Sequence, residues 1–241
     1  MKFRWLFLIL ITASIILGLN YEGWAGVVKS SRRMSGFSID NGHYIYLQSY
    51  RNPVTDVPTA DIQIVDVVEN ACVRNGCLQT EYDRSAYSLS NQAAEDDLLK
   101  KTLTIRHDLG LNRLKVGIQL PMISRKNNPD GSETAAFRLS TETEPLEIRL
   151  EQRRIPSVLR GGSSAMDRAA MRLIINYNYG RLTIGDLNNY RDAVSKYSIR
   201  EVRLSPNRRN LVVLIDMTQP LEEGVLQKTF VQSLALERFG A

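Results

Sequence analysis

The chain has 241 residues, enough for one or two domains. Apolar residues at 43% and charged residues at 24% are globular proportions, which exclude collagen-like, coiled-coil and wholly disordered architectures. The formal charge of +5 comes without a dense basic stripe interleaved with aromatics, so no nucleic-acid partner is expected. Two Cys cannot build a disulfide-rich scaffold or an all-cysteine zinc site, and two His cannot supply a histidine-rich centre, so no metal and no cofactor is expected.

Lys2 and Arg4 precede an apolar run from Trp5 to Leu19, followed by Gly23-Trp24-Ala25. Positive charge, a short apolar core and then small residues make a secretory signal, with cleavage expected after Ala25. The rival reading is an uncleaved anchor with Lys2 and Arg4 snorkelling on the cytoplasmic side. Either way residues 26–241 are exported, to a periplasm or to the outside. Cleavage removes Lys2, Arg4 and Glu22 and leaves a mild +4. Residues 26–35 read as a flexible leader. Its Lys29, Arg32 and Arg33 form the one cluster placed to meet anionic headgroups if the N-terminus stays at a membrane; otherwise they are a solvated face.

From Phe37 the period becomes two. Phe37 and Ile39 lead into Asp40-Asn41-Gly42, and Tyr44 to Tyr50 returns, which predicts a hairpin. On the returning strand Tyr44, Tyr46 and Tyr50 share a face with Gln48, opposite Ile45 and Leu47. Tyr rings beside polar groups suit a partner-binding or sugar-stacking face; their alternative use is pairing across strands. Arg51 to Ala60, with Pro53 and Pro58, reads as a loop, and Ile62 to Val68 as a strand. Cys72 and Cys77 flank Asn75-Gly76, a turn signal, and export makes a disulfide the expected state. A redox pair would want two intervening residues rather than four. Ser85 to Lys101 has helical composition. Leu103 and Ile105 alternate, as do Leu114, Val116, Ile118 and Leu120, which predicts a half-buried strand. Ser124 to Thr134 reads as a polar loop, and Phe137/Leu139 with Leu146/Ile148/Leu150 as two further strands. Residues 36–160 are therefore expected to form a mainly antiparallel, sandwich-like β domain.

Residues 161–241 read as an α+β lobe packed on it. Met166, Ala169, Ala170, Leu173 and Ile174 fit one face of a helix capped by Ser163 or Ser164. Thr183 with Asp186 resembles a capping box ahead of Leu187, Tyr190 and Val194. Ile199–Leu204 and Leu211–Met217 form a hairpin whose second strand is apolar on both faces, hence central in a sheet. Leu226, Phe230 and Leu234 suggest a last helix. The expected fold is α+β, with a C-terminal helix-helix-hairpin-helix region.

No catalytic pattern emerges. Ser163 and Ser164 lack the downstream glycine of a nucleophile elbow, and His43 and His107 sit at a turn and a strand end. Asn128, Asp130 and Gly131 mimic part of a calcium loop, but Lys126 and Phe137 stand where its first and last carboxylates belong. Glu95-Asp96-Asp97 are consecutive and cannot converge on one ligand. The reading that follows is a non-catalytic exported envelope protein, a structural or adaptor subunit whose partners are other envelope proteins. The alternatives are a secreted hydrolase or lyase using scattered carboxylates such as Asp66, Glu69 and Glu81, and a soluble protein with a ligand pocket between its lobes.

Overall fold

The computed structural model describes residues 26–52, 55–141, 144–156, 168–221 and 224–239. Three sheets stack face to face, with helices on one outside face. The helix-side sheet is an antiparallel meander of β2 (Ser31–Phe37), β3 (His43–Arg51), β4 (Pro58–Asp66) and β5 (Ala71–Gln79). The middle sheet runs in the order β1 (Gly26–Lys29), β14 (Gly224–Ala235), β13 (Asn210–Leu221), β12 (Lys196–Leu204) and β6 (Ile118–Gln119), with β1 parallel to β14. The outer sheet runs β11 (Gly180–Arg191), β10 (Arg168–Tyr177), β9 (Leu146–Ile155), β8 (Glu133–Phe137) and β7 (Met122–Asn127). A chain boundary at 160 falls inside this last sheet, between the paired β9 and β10.

Alternation assigns each side chain to a layer. Odd residues of β13 and its neighbours (Leu211, Val213, Ile215, Tyr197, Ile199) pack on Ile148, Leu150, Leu173 and Ile175 of the outer sheet. Even residues Val212 and Leu214, with Val231, pack on Phe37, Tyr44, Tyr46 and Val65. β13 is thus buried on both faces, as its continuous apolar run requires. The far face of the helix-side sheet, built from Ile45, Leu47, Ile62 and Ile64, is covered by Ala94 and Leu98 of α1 (Asn91–Lys101) and by Leu111. Ser90 caps α1 by accepting from the Ala93 amide, and Lys100 and Lys101 close its last turn favourably for the helix dipole. The shorter α2 (Leu103–Asp108) follows.

Side chains close both long edges of the middle sheet. β1 covers β14 only from Gly224 to Gln227. Beyond that, Gln48 accepts from the Thr229 amide at 2.9 Å and donates to its carbonyl at 2.8 Å. Gln63 accepts from Val231 N at 3.0 Å, and Asn70 accepts from Ser233 N at 2.7 Å. On the opposite edge Gln152 accepts from Tyr197 N at 3.0 Å, Glu133 takes the Ile199 amide, and Arg125 donates to Ile199 O at 2.7 Å. Carboxamides thus stand in for missing strands and leave little of either edge open for aggregation.

The C-terminal helix-helix-hairpin-helix expectation is wrong, and so is the α+β class built on it: described residues beyond 167 form strands and one closing 3-10 turn, Leu236–Phe239. The causes are specific. Ala169, Leu173 and Met171 face the core, while Ala170 and Ile174 are buried on the other face of β10, so a strand apolar on both sides imitates helical spacing. In β11 the register jumps from Met171↔Asp186 to Ala169↔Arg191, and this bulge carries Leu187 and Tyr190 out of step. Leu226, Phe230 and Leu234 are four apart, a spacing that keeps one face in a strand as well as in a helix. The capping serines 163 and 164 lie outside the described residues. Elsewhere, the expected leader 26–35 is taken up by β1 and most of β2, the polar loop 124–134 contains most of β7, and Leu103 and Ile105 belong to α2. The hairpin β12–β13 and the turn at Asn41 with its positive φ of 65° are as expected, while the helix expected over 85–101 is a 3-10 turn at Arg84–Ser88 followed by α1 from Asn91.

Candidate functional site

The aromatic face expected on β3 is an interior contact. Tyr44, Tyr46 and Tyr50 are all buried, pointing into the layer between the helix-side and middle sheets. Tyr44 meets Phe37 edge-on with centroids 4.8 Å apart, and burial pushes its hydroxyl up to about 12. Lys228 Nζ lies 5.4 Å from the Tyr50 ring and 2.9 Å from Asp61. The partner that buries these rings is the chain's own middle sheet. Ile45 and Leu47 are buried too, on the other face, so exposure does not distinguish the two sides.

Cys72 and Cys77 are joined, Sγ to Sγ at 2.02 Å. They pair with Val65 and Gln63 of β4, so Val73 to Gly76 all stand opposite Ile64 alone and the bridge ties off this bulge in an edge strand. Asn75 supplies the positive φ of 58°. A Cβ on Gly76 would come within 2.3 Å of Val73 Cγ2. Of the basic cluster, Lys29 is exposed, whereas Arg32 pairs with Glu201 at 2.9 Å and Arg33 with Glu95 at 3.0 Å and Asp96 at 2.7 Å. Two of the three expected headgroup contacts are therefore spent within the chain. Glu95 of the acidic run also accepts from Ser49 Oγ at 2.6 Å. Asp66 closes a turn by accepting from Val68 N and Glu69 N, and Glu69 and Glu81 are exposed. Among the described residues no three His, Cys, Asp or Glu side chains gather as metal ligands.

The arrangement left open to a partner is the corner where the middle sheet hands over to the outer one. Pro121 turns the chain from β6, the edge of one sheet, directly into β7, the edge of the next. Leu120 anchors the corner: its side chain is buried and its amide donates to Val202 O at 2.9 Å. Around it the apolar side chains face water, with Val116 74%, Ile118 47% and Ile123 45% exposed, and Met122 beside them. A cleft of about 390 Å³ opens there between Pro121, Met122, Phe137, Arg200 and Glu201. Every residue of β7 is exposed, and no described strand covers its outer side. Exposed apolar groups strung along an open edge are the features from which an interaction surface can be built.

The corner is basic. No Asp or Glu occurs from Leu109 to Pro129, while Arg113, Lys115, Arg125 and Lys126 do. Arg125 is braced from below by Glu133, 2.7 Å away and buried. Burial pushes the Glu133 carboxyl above its usual range, against the pull of Arg125 and the Ile199 amide. Such a site offers backbone hydrogen bonds, apolar pockets on alternate residues and a positive field, which are the means of strand addition.

Sequence reasoning placed a strand over 114–120 and a loop after it, and so missed that the two form one exposed corner. The available signal was the acid-free stretch with Ile118, Met122 and Ile123 on either side of Pro121. Gln48, Gln63 and Asn70 were also missed as edge caps, since a carboxamide inside a strand looks the same in sequence whichever way it points.

Among the described residues no helix is long and apolar enough to cross a membrane. No curated protein and no solved structure matches the chain. A family model described as "Predicted secreted protein (DUF2259)" matches residues 48–232, from the third strand to the last, and the chain belongs to that family.

Proposed function

We propose that this exported protein is a non-catalytic subunit or adaptor of a periplasmic or membrane-associated assembly, and that it holds its partner at the β6–β7 corner. The observation that carries the reading is the fully exposed edge strand β7, with Ile123 in it and Val116 and Ile118 just before it. The rest of the architecture supports it: both long edges of the middle sheet are closed by carboxamides and ion pairs, while this edge has no described strand against it. The basic charge disfavours pairing of β7 with a second copy of itself and favours an extended segment carrying Asp or Glu. Exposed Glu69 and Glu81, and the turn-bound Asp66, give the hydrolase alternative no comparable support.

A photo-crosslinking residue placed at Ile123 in the producing cell tests this. The expected product joins β7 to an acidic stretch of another envelope protein, and Lys126→Glu diminishes it at least about tenfold. Cross-linking no stronger at Ile123 than at exposed Leu103 on α2 contradicts the proposal.

A further inference from the structure

At the same end of the outer sheet, but on its opposite edge, β10 and β11 are joined by the two-residue turn Asn178-Tyr179. Both residues have positive φ, 48° and 63°, the signature of a tight hairpin turn that ordinarily takes Asn-Gly. Asn tolerates that conformation; a bulky aromatic residue pays for it in backbone strain. Among the described non-glycine residues with positive φ, five are Asn or Asp, and Tyr179 is the sole aromatic. The turn gains nothing from the ring in packing, because Tyr179 is 95% exposed. The neighbouring glycine is committed to another purpose: a Cβ on Gly180 would lie 2.8 Å from the Phe239 carbonyl oxygen, so it keeps the hairpin against the C-terminal turn. A strained, solvent-facing ring at a hairpin tip serves something outside the fold.

Beside the tip lies a cleft of about 600 Å³ whose ten lining residues include Glu144, Glu147, Asn176, Asn178, Tyr179 and Arg181. Asn176 donates to Glu147 Oε1 at 3.1 Å, which fixes the two side chains side by side. We infer that this cleft binds a saccharide, with Tyr179 as the stacking platform and the planar amide, carboxylate and guanidinium groups as hydrogen-bond partners for hydroxyls. The chemistry suits a sugar because the lining mixes five planar polar side chains, each able to bridge adjacent hydroxyls, with the apolar faces of Tyr177, Tyr179 and Pro145 on which a sugar ring can lie. It favours a neutral sugar over an anionic one because Glu144 and Glu147 outnumber Arg181. The site is separate from the β6–β7 corner and stands or falls without it.

The test uses the whole exported chain with cellotetraose, maltotetraose and chitotetraose as probes, read by saturation-transfer NMR and calorimetric titration. At least one probe is expected to bind saturably, with transfer to the face of one sugar ring. Tyr179→Phe keeps binding within about twofold. Tyr179→Ala and Tyr179→Gly each weaken it at least about fivefold, the scale of one lost aromatic contact. Tyr179→Gly separates recognition from folding: relief of the positive φ raises its unfolding midpoint by about 2–4 °C while binding falls. No saturable binding of any of the three probes by the wild type, or undiminished binding by the Tyr179→Gly variant, overturns the inference.

Discussion

Gln48 of β3 treats Thr229 of β14 as a neighbouring strand would, accepting from its amide and donating to its carbonyl. The two residues are 181 apart in sequence, and both are buried between the helix-side and middle sheets. The pairing needs a side chain that carries donor and acceptor side by side, which among uncharged residues means Asn or Gln. The reach of Gln spans the gap between layers.

Removing it leaves the buried Thr229 N–H unmatched, while the Thr229 carbonyl keeps Gln63 Nε2 at 2.8 Å. Gln48→Ala is expected to lower unfolding free energy by about 1–3 kcal/mol. Gln79→Ala, at an exposed position of β5, changes it by less than about 0.5 kcal/mol. Urea denaturation of the two variants checks the contrast, and equal losses dispose of the edge-cap role.

The Cys72–Cys77 bridge closes a loop of few residues, so its loss costs about 2 kcal/mol by chain entropy. Denaturation with and without reductant is expected to show that loss without abolishing folding, since β5 is an edge strand. Gly76→Val is expected to cost about 1–3 kcal/mol even in oxidised protein, because its Cβ meets Val73 Cγ2 and lies 3.0 Å from Ile64 Cβ. An unaffected Gly76→Val protein contradicts the bulge geometry.

Glu133 governs a pH dependence whose sign follows from burial. Its carboxyl titrates higher folded than the ordinary 4.5. The folded state therefore holds the proton more tightly than the unfolded chain. Its stabilising contribution is complete below 4.5 and is lost as pH rises through the raised folded value. Glu133→Gln still has an oxygen for the Ile199 amide and removes the titration. The stability of the variant relative to wild type is expected to grow between about pH 4 and pH 7. A flat difference across that range rejects the assignment. Asp61 and Asp216 are raised by burial in the same sense, so the difference between variant and wild type isolates Glu133.

Several of these features were legible in the amino-acid order because they are local. The Asn41 turn, the bridged cysteines and the doubly apolar β13 each declare themselves within a few residues. The C-terminal strands did not, because the four-residue spacing of Leu226, Phe230 and Leu234 suits both periods, and only pairing with β13 decides between them. The Tyr face of β3 was correctly grouped but wrongly turned outward: alternation says which residues share a side, while the layer that covers that side comes from residues 212–231. The β6–β7 corner is a property of two sheets meeting, invisible until β6 is seen at one edge and β7 at the other.

The central claim is that β7 is open in the isolated protein and filled in the assembly. Amide hydrogen exchange over Met122–Asn127, compared between purified protein and protein extracted gently with its native envelope partners, measures it most directly. The account predicts rapid exchange of the β7 amides that point away from β8 in the isolated chain and at least about tenfold slowing of them in the extract, with β13 unchanged. Exchange over 122–127 that is equally fast in both states contradicts it.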